Sequence, residues 1–489
     1  MIEQPRRAWY RELTGYHWFV FLVASACWCF DCLDQRLFSL ARIPALRTVM
    51  QADDEAGMTS EAIAAEPTAD EKAAFENRVQ ANGKNVTAIF LVGWGIGGMF
   101  FGALGDRYGR ARMLTISVLL YSAFTGLTFF SQSYWDFAVC RFITGLGVGG
   151  VFGLAVALIA ETVPDTARTG ALGMLQVLST IGNLAAGAFK SLFDHWQESG
   201  VIEANTGWRW MFLVGALPAF LVIFTAKYLR EPEPWLRAKA EGRLPKGSIL
   251  APYAALLAEK RWRKNLVIGA LIASTGVIGL WGIGEYAVDL QRNVFGRYYN
   301  EEVAAEVAAV AAAGTDSTVD VAAEVSKRVN AAITWAYILN MIGAALGMWA
   351  FTRIAMALGR RTAFAIGFSA ALVITLAVYW KMDSPSDAYW MMPLMGAAQL
   401  AVFAGFAIYL PELFPSRLRS TGTSFCYNLG RFAAAAGSMF SAKLAVDVYG
   451  GYDSPLPLRY SAMTMCAIFL VGLLVLPFAP ETKDKPLPE

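Results

Sequence analysis

The sequence has 489 residues, of which 56% are hydrophobic and 13% aromatic, and its formal net charge is +2. One soluble core could not enclose this many apolar side chains, so the composition indicates an integral membrane protein. The near-neutral charge, without a basic stripe, argues against a nucleic-acid-binding protein.

Cysteine and histidine usage limits the chemistry that the chain can support. All six cysteines lie within apolar runs, which argues against a disulfide framework or a loop zinc site, and two histidines cannot form a metal cluster by themselves. The sequence contains no G-x-x-x-x-G-K-[ST] phosphate loop, so direct use of ATP is not expected. Because no nucleophile, base or metal ligands converge, we expect neither a cofactor nor an enzymatic activity.

Twelve segments are long and apolar enough to cross a bilayer, since a spanning helix needs about 20 residues. They lie near residues 17–43, 85–105, 113–131, 136–163, 168–190, 208–229, 263–289, 330–356, 362–380, 388–414, 421–443 and 458–479. No small-residue cleavage site follows the first segment, so we expect it to be retained rather than removed as a signal peptide.

Loop charges predict the orientation of these segments. Residues 230–265 contain nine basic residues against four acids, which favours the cytoplasm for this loop and, by threading, for both termini in an inner or plasma membrane. Residues 44–84 and 291–329 are rich in alanine, and the first of them is also rich in acids. We expect both stretches to lie outside as loops with short surface helices, one after the first span and one after the seventh.

An internal repeat predicts two halves. Glu161-Thr-Val-Pro164 with Arg168 and Gly170 matches Glu412-Leu-Phe-Pro415 with Arg419 and Gly422. The repeat predicts an N-terminal six-helix bundle at 1–229, a cytoplasmic linker at 230–262 and a C-terminal six-helix bundle at 263–489.

The stretch Gly102-Ala-Leu104-Gly-Asp106-Arg107-Tyr-Gly109-Arg110-Ala-Arg112 joins the second and third spans. It resembles the G-x-L-x-D-R-x-G-R-K/R loop of the major facilitator superfamily, apart from Ala111. Arg141, Gly145, Gly147 and Gly149 match a further pattern of that family, R-x-x-x-G-x-G-x-G. The resemblance implies an all-α membrane protein of twelve transmembrane helices in two pseudo-symmetric bundles that rock about a site at the midplane, lined by helices 1, 4, 7 and 10.

Two shorter matches indicate a branch of that superfamily. Asp31-Cys-Leu-Asp34 is similar to the D-x-x-D of proton-coupled carriers for aromatic acids, sialic acid and other carboxylates, although Cys32 and Leu33 replace the usual pair between the acids. The tail Pro480-Glu481-Thr482 looks like those of the sugar-porter and organic-ion branches. The resemblance implies proton symport of a small organic anion, namely a carboxylate, an aromatic acid or an acidic sugar, by a protein that functions as a monomer in the bilayer.

Charged residues within the predicted spans are candidates for function, because burying a charge in a bilayer costs several kcal/mol. We expect Asp34 to carry the coupled proton, with Asp31 as the second candidate and Arg141 as the partner of the carboxylate. The alternative is a fixed ion pair that anchors the first helix to the fourth.

Arg431 lies about ten residues into the eleventh span, and its planar guanidinium suits a carboxylate. We expect it to bind the substrate with Asn428 and Tyr427, although a salt bridge between packed helices is the alternative. Further pocket candidates are Trp281, Glu285, Tyr286, Asp289, Asn340 and Gln399. The two aromatic candidates could equally belong to the interfacial belt, and Lys190, Asp194 and His195 are interpreted as a solvated loop.

A cytoplasmic gate is expected around Asp106. Its carboxylate could lie against the positive N-terminal end of the eleventh span, near Ser420-Thr421, when the cytoplasmic side is shut. The other gate candidates are Arg107, Arg110, Arg112, Glu161, Arg168, Glu412 and Arg419. The second half keeps Gly359-Arg360 but has Met356 at the position that corresponds to Asp106. The latch is therefore predicted in the first half only.

Two other functions remain open. A proton-coupled sugar porter fits the tail and the Asp34–Arg141 pair, but Arg431 argues against a neutral sugar. A membrane sensor without transport would use the outer stretches as its ligand domain. The run Gly145-Leu-Gly147-Val-Gly149-Gly150 fits a dinucleotide fingerprint, but it lies within a membrane span rather than after a strand, so we interpret it as helix packing.

Overall fold

The computed structural model describes residues 9–56, 68–245, 247–284, 286–312 and 320–488, and the regular secondary structure in these ranges is helical. The α-helices are α1 (Gly15–Ala56), α2 (Ala69–Tyr108), α3 (Arg110–Leu127), α4 (Tyr134–Thr162), α5 (Asp165–Glu198), α6 (Gly207–Val214), α7 (Ala219–Tyr228), α8 (Glu233–Ala240), α9 (Ala251–Ala258), α10 (Lys260–Val277), α11 (Tyr286–Ala312), α12 (Val321–Leu358), α13 (Arg360–Lys381), α14 (Pro385–Glu412), α15 (Arg419–Lys443), α16 (Leu456–Met465) and α17 (Ile468–Val475). A π-helical segment, Ile278–Gly284, follows α10. The predicted all-α membrane fold is confirmed.

Eleven helical stretches in the described ranges are long and apolar enough to cross a membrane, by length and composition. The predicted span at 421–443 is absent from these eleven, although it forms the continuous helix α15. Its sequence includes Arg419, Asn428 and Arg431, which reduce its apolar content. The polarity of α15 therefore sets it apart from the other spans.

The prediction of short, separate outer helices was wrong. Residues 44–56 continue α1 without a break, and residues 69–84 form the first turns of α2. Alanine, glutamate, arginine and lysine all favour helices, and Pro44 lies inside α1 without ending it, so the helix continues past the predicted end of the first span. Arg47 of α1 donates to both oxygens of Glu76 in α2, at 2.7 and 2.9 Å. On the described part of 291–329, α11 and α12 extend in the same way.

The linker was assigned no secondary structure from the sequence, and the end of the fifth span differs from its predicted loop. The linker contains the short helices α8 and α9, while Lys246 lies outside the described residues. Lys190, Asp194 and His195 lie within α5 rather than in a loop, and Lys190 pairs with Asp194 along the helix. These residues face solvent to a large extent, so only their secondary structure was predicted wrongly.

Sharp turns at two glycines begin α3 and α13. Gly109 has a φ of 114° and Gly359 a φ of 96°, and residues with a side chain rarely adopt this backbone conformation. A glutamate caps each following helix: Glu231 accepts from the backbone of Ala111 and Arg112, and Glu481 accepts from that of Arg360 and Arg361. The same capping arrangement thus occurs at both glycine turns.

Close helix packing on α2 positions the functional side chains. A Cβ on Gly93 or Gly97 would overlap the backbone of α4, and a Cβ on Gly145 or Gly149 of α4 would overlap the backbone of α2. Backbones this close require small residues in both helices. The interpretation of the α4 glycines as packing residues agrees with these contacts.

The chain divides into two compact units. The first comprises Met1–Gly269, Ala407–Phe432 and Asp484–Glu489, and the second comprises Ala270–Phe406 and Ala433–Lys483. The start of α15 therefore belongs to the same unit as α1 to α9. The domain boundaries at 229 and 263, which rest on the sequence repeat, stay a prediction.

Candidate functional site

Asp106 lies at the end of α2, against the first turn of α15. Its carboxylate accepts hydrogen bonds from the backbone of Ser420 (3.1 Å) and Thr421 (2.8 Å) and from the Thr421 hydroxyl (2.6 Å). The first N–H groups of a helix have no partner within the helix, so a carboxylate here satisfies two of them and complements the helix dipole. Asp106 is fully buried, which strengthens these contacts.

A buried network of charges continues from Asp106. Arg110 pairs with Asp106 at 3.0 Å and with Glu161 of α4 at 3.2 Å. Glu161 in turn binds Arg419, the first residue of α15, at 2.6 Å. Each of these four residues is at most 8% exposed. The alternating acids and bases hold α2, α4 and α15 together; we call Asp106, Arg110, Glu161 and Arg419 the charged cluster.

The remaining predicted gate residues surround this cluster with different contacts. Arg168 donates from Nε to the Ala160 carbonyl (2.9 Å), as Arg419 does to the Pro411 carbonyl (3.0 Å), and the four positions share the offset of the sequence repeat. Arg107 donates to the Gly247 carbonyl at 2.6 Å, Arg112 is exposed and Glu412 is 7% exposed. Arg168 and Arg419 thus also cap the C-terminal ends of α4 and α14 through these carbonyl groups.

Asp34 and Arg141 lie side by side within the first unit, both fully buried. Arg141 Nη1 is 3.8 Å from Asp34 Oδ1, while the Thr125 hydroxyl donates to the same oxygen at 2.8 Å. Arg141 also donates to the Thr128 hydroxyl (2.6 Å) and lies over the Phe212 ring. Within the described residues, Asp34 Oδ2 and Arg141 Nη1 have no hydrogen-bond partner. The pair is therefore loose, unlike the charged cluster.

Asp31 does not share the arginine of Asp34. It accepts from Gln35 at 3.0 Å, its other oxygen has no hydrogen-bond partner among the described residues, and its charged neighbours are Asp34 and Arg431. The role of Asp31 as the second candidate for the proton carrier stays a prediction. Three residues along a helix turn a side chain by about 300°, enough to give the two carboxylates different neighbours.

Arg431 lies in an aromatic environment on α15. Its guanidinium carbon is 3.3 Å from the centre of the Trp94 ring and 4.8 Å from that of Tyr427, and its Nε donates to Asn428 Oδ1 at 3.3 Å. Arg431 is 2% exposed, and no carboxylate oxygen of a described residue lies within salt-bridge distance of it. The structure thus brings together all three predicted binding residues of α15.

Two residues near Arg431 were missed by the sequence analysis. Trp94 stacks on the guanidinium, and the Gln176 amide oxygen accepts from Trp28 Nε1 at 2.9 Å. Trp28 in turn approaches the Tyr427 ring at 6.3 Å. Gln176 Nε2 has no hydrogen-bond partner among the described residues. Neither residue carries a formal charge, so the search for charges within spans could not find them.

The other predicted pocket residues belong to the second unit. Gln399 donates to the Thr375 hydroxyl at 3.0 Å, and Asn340 donates to the Met392 carbonyl at 2.9 Å, where it ties α12 to α14. Trp281 is half-buried in the π-helical segment, Tyr286 and Asp289 lie in the first turn of α11, and Glu285 lies outside the described residues. Hydrogen bonding to the helix backbone accounts for Asn340 without a ligand.

Comparison with known proteins covers most of the chain. The model of the family described as "Sugar (and other) transporter" matches residues 55–248 and 319–489. The chain is 27% identical to the cis,cis-muconate transport protein of Acinetobacter baylyi over 71% of this chain and 74% of that one. It is 24% identical to the sialic acid transporter NanX of Escherichia coli, over 77% and 81% of the two chains.

A solved structure has a similar fold. The proton:xylose symporter XylE of E. coli, bound to 6-bromo-6-deoxy-D-glucose, aligns with a TM-score of 0.64 at 19% identity and covers 97% of this chain and 98% of that one. At this identity the likeness concerns the fold alone.

Proposed function

Because the chain belongs to the sugar (and other) transporter family of the major facilitator superfamily, whose members are transporters and not enzymes, we propose that it moves a small organic anion together with protons. It is an integral, multi-pass membrane protein, and the proposal concerns what it carries and what drives it. We further propose that both termini are cytoplasmic and that a monomer is the working unit.

The observation that carries the proposal is the state of Arg431. A guanidinium inside a membrane protein is costly unless an anion or several acceptors meet it. Arg431 has the Asn428 oxygen at 3.3 Å, a hydrogen bond with the Tyr427 side chain and two aromatic faces, but no carboxylate of a described residue within salt-bridge distance. A substrate carboxylate would complete this environment through two parallel hydrogen bonds. The alternative of a salt bridge between packed helices would have to use Asp31, which interacts with Arg431 electrostatically but lies beyond salt-bridge distance.

The substrate class follows from the same chemistry. The muconate and sialic acid transporters that resemble this chain are named for solutes that bear carboxylates. Trp28, Trp94, Phe152 and Tyr427 surround the region with aromatic surface, and Phe152 and Tyr427 stack at 3.8 Å. This composition favours a planar or ring-bearing carboxylate over a small hydrophilic acid.

Asp34 is the proposed proton carrier. Its bond to Thr125 and its long contact with Arg141 leave one carboxylate oxygen without a partner in the described part of the chain. Such a carboxylate can take up a proton without breaking a saturated network, whereas a purely structural pair would be expected to have short, complete contacts. Proton uptake by Asp34 would weaken its attraction to Arg141 and so favour a change of conformation.

The charged cluster is the proposed cytoplasmic latch of an alternating-access cycle. In this cycle, Asp106 releases the first turn of α15 when the cytoplasmic side opens, and reforms its three hydrogen bonds when that side closes. The latch would open once per transport cycle, so its stability should be modest relative to the stability of the fold.

An uptake screen in proteoliposomes tests the proposal. The purified protein is offered cis,cis-muconate, 4-hydroxybenzoate, sialic acid and xylose at external pH 6 and pH 8, with and without a protonophore. We expect uptake of at least one carboxylate, faster at the lower external pH and abolished by the protonophore. Proton-independent uptake would contradict symport, and absence of any uptake would favour a sensor.

Two substitutions separate the proposed roles. Arg431→Ala should raise KM for the carboxylate by about 100-fold or more, because two hydrogen bonds to a charged group are lost, each contributing about 1.5–3 kcal/mol. Asp34→Asn should abolish accumulation against a gradient while leaving exchange of the anion intact. Asp136→Asn, at the outer cap of α4, serves as a control that alters neither property. Normal carboxylate affinity in a folded Arg431→Ala protein would argue decisively against the binding role.

A sugar porter is the second candidate, supported by the buried Gln176 amide beside Trp28. An uncharged amide donor suits a sugar hydroxyl, and its Nε2 has no partner among the described residues. Xylose uptake that is insensitive to Arg431→Ala but lost in Gln176→Leu would favour this alternative over the anion.

A further inference from the structure

The face of the Arg431 guanidinium is covered by the Trp94 ring of α2. The guanidinium carbon lies 3.3 Å from the ring centre, the shortest cation–ring distance among the described residues. Both side chains are almost completely buried, at 1% and 2% exposure. Cation–π attraction is strongest with tryptophan and grows when water is excluded. This contact therefore has the geometry and the surroundings of a strong one.

The stack has a directional consequence. Because the guanidinium carbon lies only 3.3 Å from the ring centre, a strongly tilted guanidinium would bring one of its nitrogens too close to the ring, so the group has to lie roughly parallel to the indole. In that arrangement the N–H groups point outward from the edges of the guanidinium, where hydrogen-bond acceptors can reach them. Asn428 takes Nε at 3.3 Å, which fixes the rotation of the group about its own axis. The two terminal nitrogens then share one edge, the edge that a carboxylate binds with both oxygens.

The backbone of Trp94 is held in place by α4. A Cβ on Gly145 would lie 3.0 Å from the Trp94 nitrogen, and one on Gly149 would overlap the Trp94 carbonyl oxygen. On the other face of α2, a Cβ on Gly98 would overlap the side chain of Asn428. Glycines thus set how closely α2 approaches α4 on one side and α15 on the other. The indole is presented to Arg431 from a tightly packed helix rather than from a mobile loop.

We propose that Trp94 is a positioning residue that holds Arg431 flat and edge-forward for a substrate carboxylate, and that the glycines of α4 fix its place. The inference rests on the proposed function of Arg431 as the anion-binding group. In this proposal Trp94 carries no charge and makes no hydrogen bond to the anion. It affects anion binding only through the orientation of the Arg431 guanidinium.

The test measures binding by the full-length protein in detergent, with cis,cis-muconate, benzoate and sialic acid as probes and the corresponding amides as uncharged counterparts. Trp94→Leu should weaken carboxylate binding by about tenfold, and Trp94→Phe, which keeps a weaker ring, by about threefold. Amide binding should change little, so the carboxylate-to-amide preference falls. Phe101→Leu is the matched control, since it removes a buried aromatic ring from the same helix, beside Gly150.

A double-mutant cycle separates positioning from general packing. In an Arg431→Ala background, Trp94→Leu should cause no further loss of carboxylate binding, whereas a structural defect would lower binding in both backgrounds. Carboxylate binding by Trp94→Leu within twofold of wild type, with Arg431→Ala impaired, would overturn the inference and leave the proposed function intact. If Trp94→Leu does not fold, Trp94→Phe decides, and unchanged preference in that variant overturns the inference. If the wild type binds none of the carboxylates, the proposed function and this inference both fall.

Discussion

Removing the charge of Asp106 should open the first turn of α15 to solvent. An Asp106→Asn substitution would keep the shape of the side chain, but one of its two oxygens becomes an N–H₂ group that cannot accept from Ser420 or Thr421. The Asp106 carboxylate receives three hydrogen bonds, at 3.1, 2.8 and 2.6 Å, and pairs with Arg110 at 3.0 Å. We therefore expect Asp106→Asn to shift the protein toward the inward-open state.

The size of this shift follows from the bonds that are lost. Hydrogen bonds to charged groups contribute about 1.5–3 kcal/mol each. If two of the three hydrogen bonds to Asp106 are lost or weakened, the closed state should lose about 3 kcal/mol of stability relative to the open state. This corresponds to a change of roughly 100-fold in the opening equilibrium. The loss of attraction to Arg110 acts in the same direction.

Hydrogen–deuterium exchange measures the same N–H groups that Asp106 binds. In Asp106→Asn, exchange at Ser420 and Thr421 should accelerate by about the predicted 100-fold, since local opening limits exchange. Glu231→Gln is the matched control: Glu231 caps α3, so its loss should raise exchange at Ala111 and Arg112 and leave Ser420 and Thr421 unchanged. Protection of Ser420 and Thr421 that is the same in Asp106→Asn and wild type would refute the latch.

Two further predictions concern stability. Burial favours the neutral form of Glu481, but backbone N–H donors of Arg360, Lys483, Arg361 and Thr482 outweigh it and hold the pKa of Glu481 below its ordinary value of 4.5. A lowered pKa stabilises the fold above the ordinary value, and this effect is lost as the pH falls through the folded-state value. The melting temperature of wild type should therefore exceed that of Glu481→Gln at pH 7, and the gap should shrink as the pH is lowered below 4.5. A gap that stays constant over this pH range would contradict this origin. Gly149→Val should destabilise the protein by about 1–3 kcal/mol, because the valine side chain would overlap the α2 backbone. The control variant Gly187→Val, which has open space around its Cβ position, should have a melting temperature close to that of wild type. Equal melting temperatures for the two variants would show that α2 and α4 separate freely.

The fold class could be predicted from the sequence because its signals are local. The length of the apolar runs, the charge of short loops and the pattern from Gly102 to Arg112 each depend on neighbouring residues and on the bilayer, not on distant contacts. Helix ends were predicted less well, because the alanine-rich stretches beyond the first and seventh spans favour helix and Pro44 does not end α1.

The candidate site could be predicted only where charge marked it. Asp34, Arg141 and Arg431 were found because an ionised group in an apolar span is conspicuous by itself. The proximity of Asp106 to the first turn of α15 was expected from the general preference of carboxylates for helix N-termini, and hydrogen bonds to Ser420 and Thr421 are present. Their role in gating stays a prediction.

The sequence by itself determined that this is a membrane protein with the major facilitator fold, and which ionised groups it carries within its spans. Only the tertiary structure decided how those groups are partnered: Asp34 lies beside Arg141, Asp31 has Arg431 as a charged neighbour, and the Trp94 ring lies 3.3 Å from the guanidinium carbon of Arg431. The physical reason is that partners depend on helix rotation and on how closely backbones approach. On α2 that approach is set by glycines that pack against helices many residues away in the sequence. The residues next to each glycine in the sequence do not indicate which side chain or backbone packs against it.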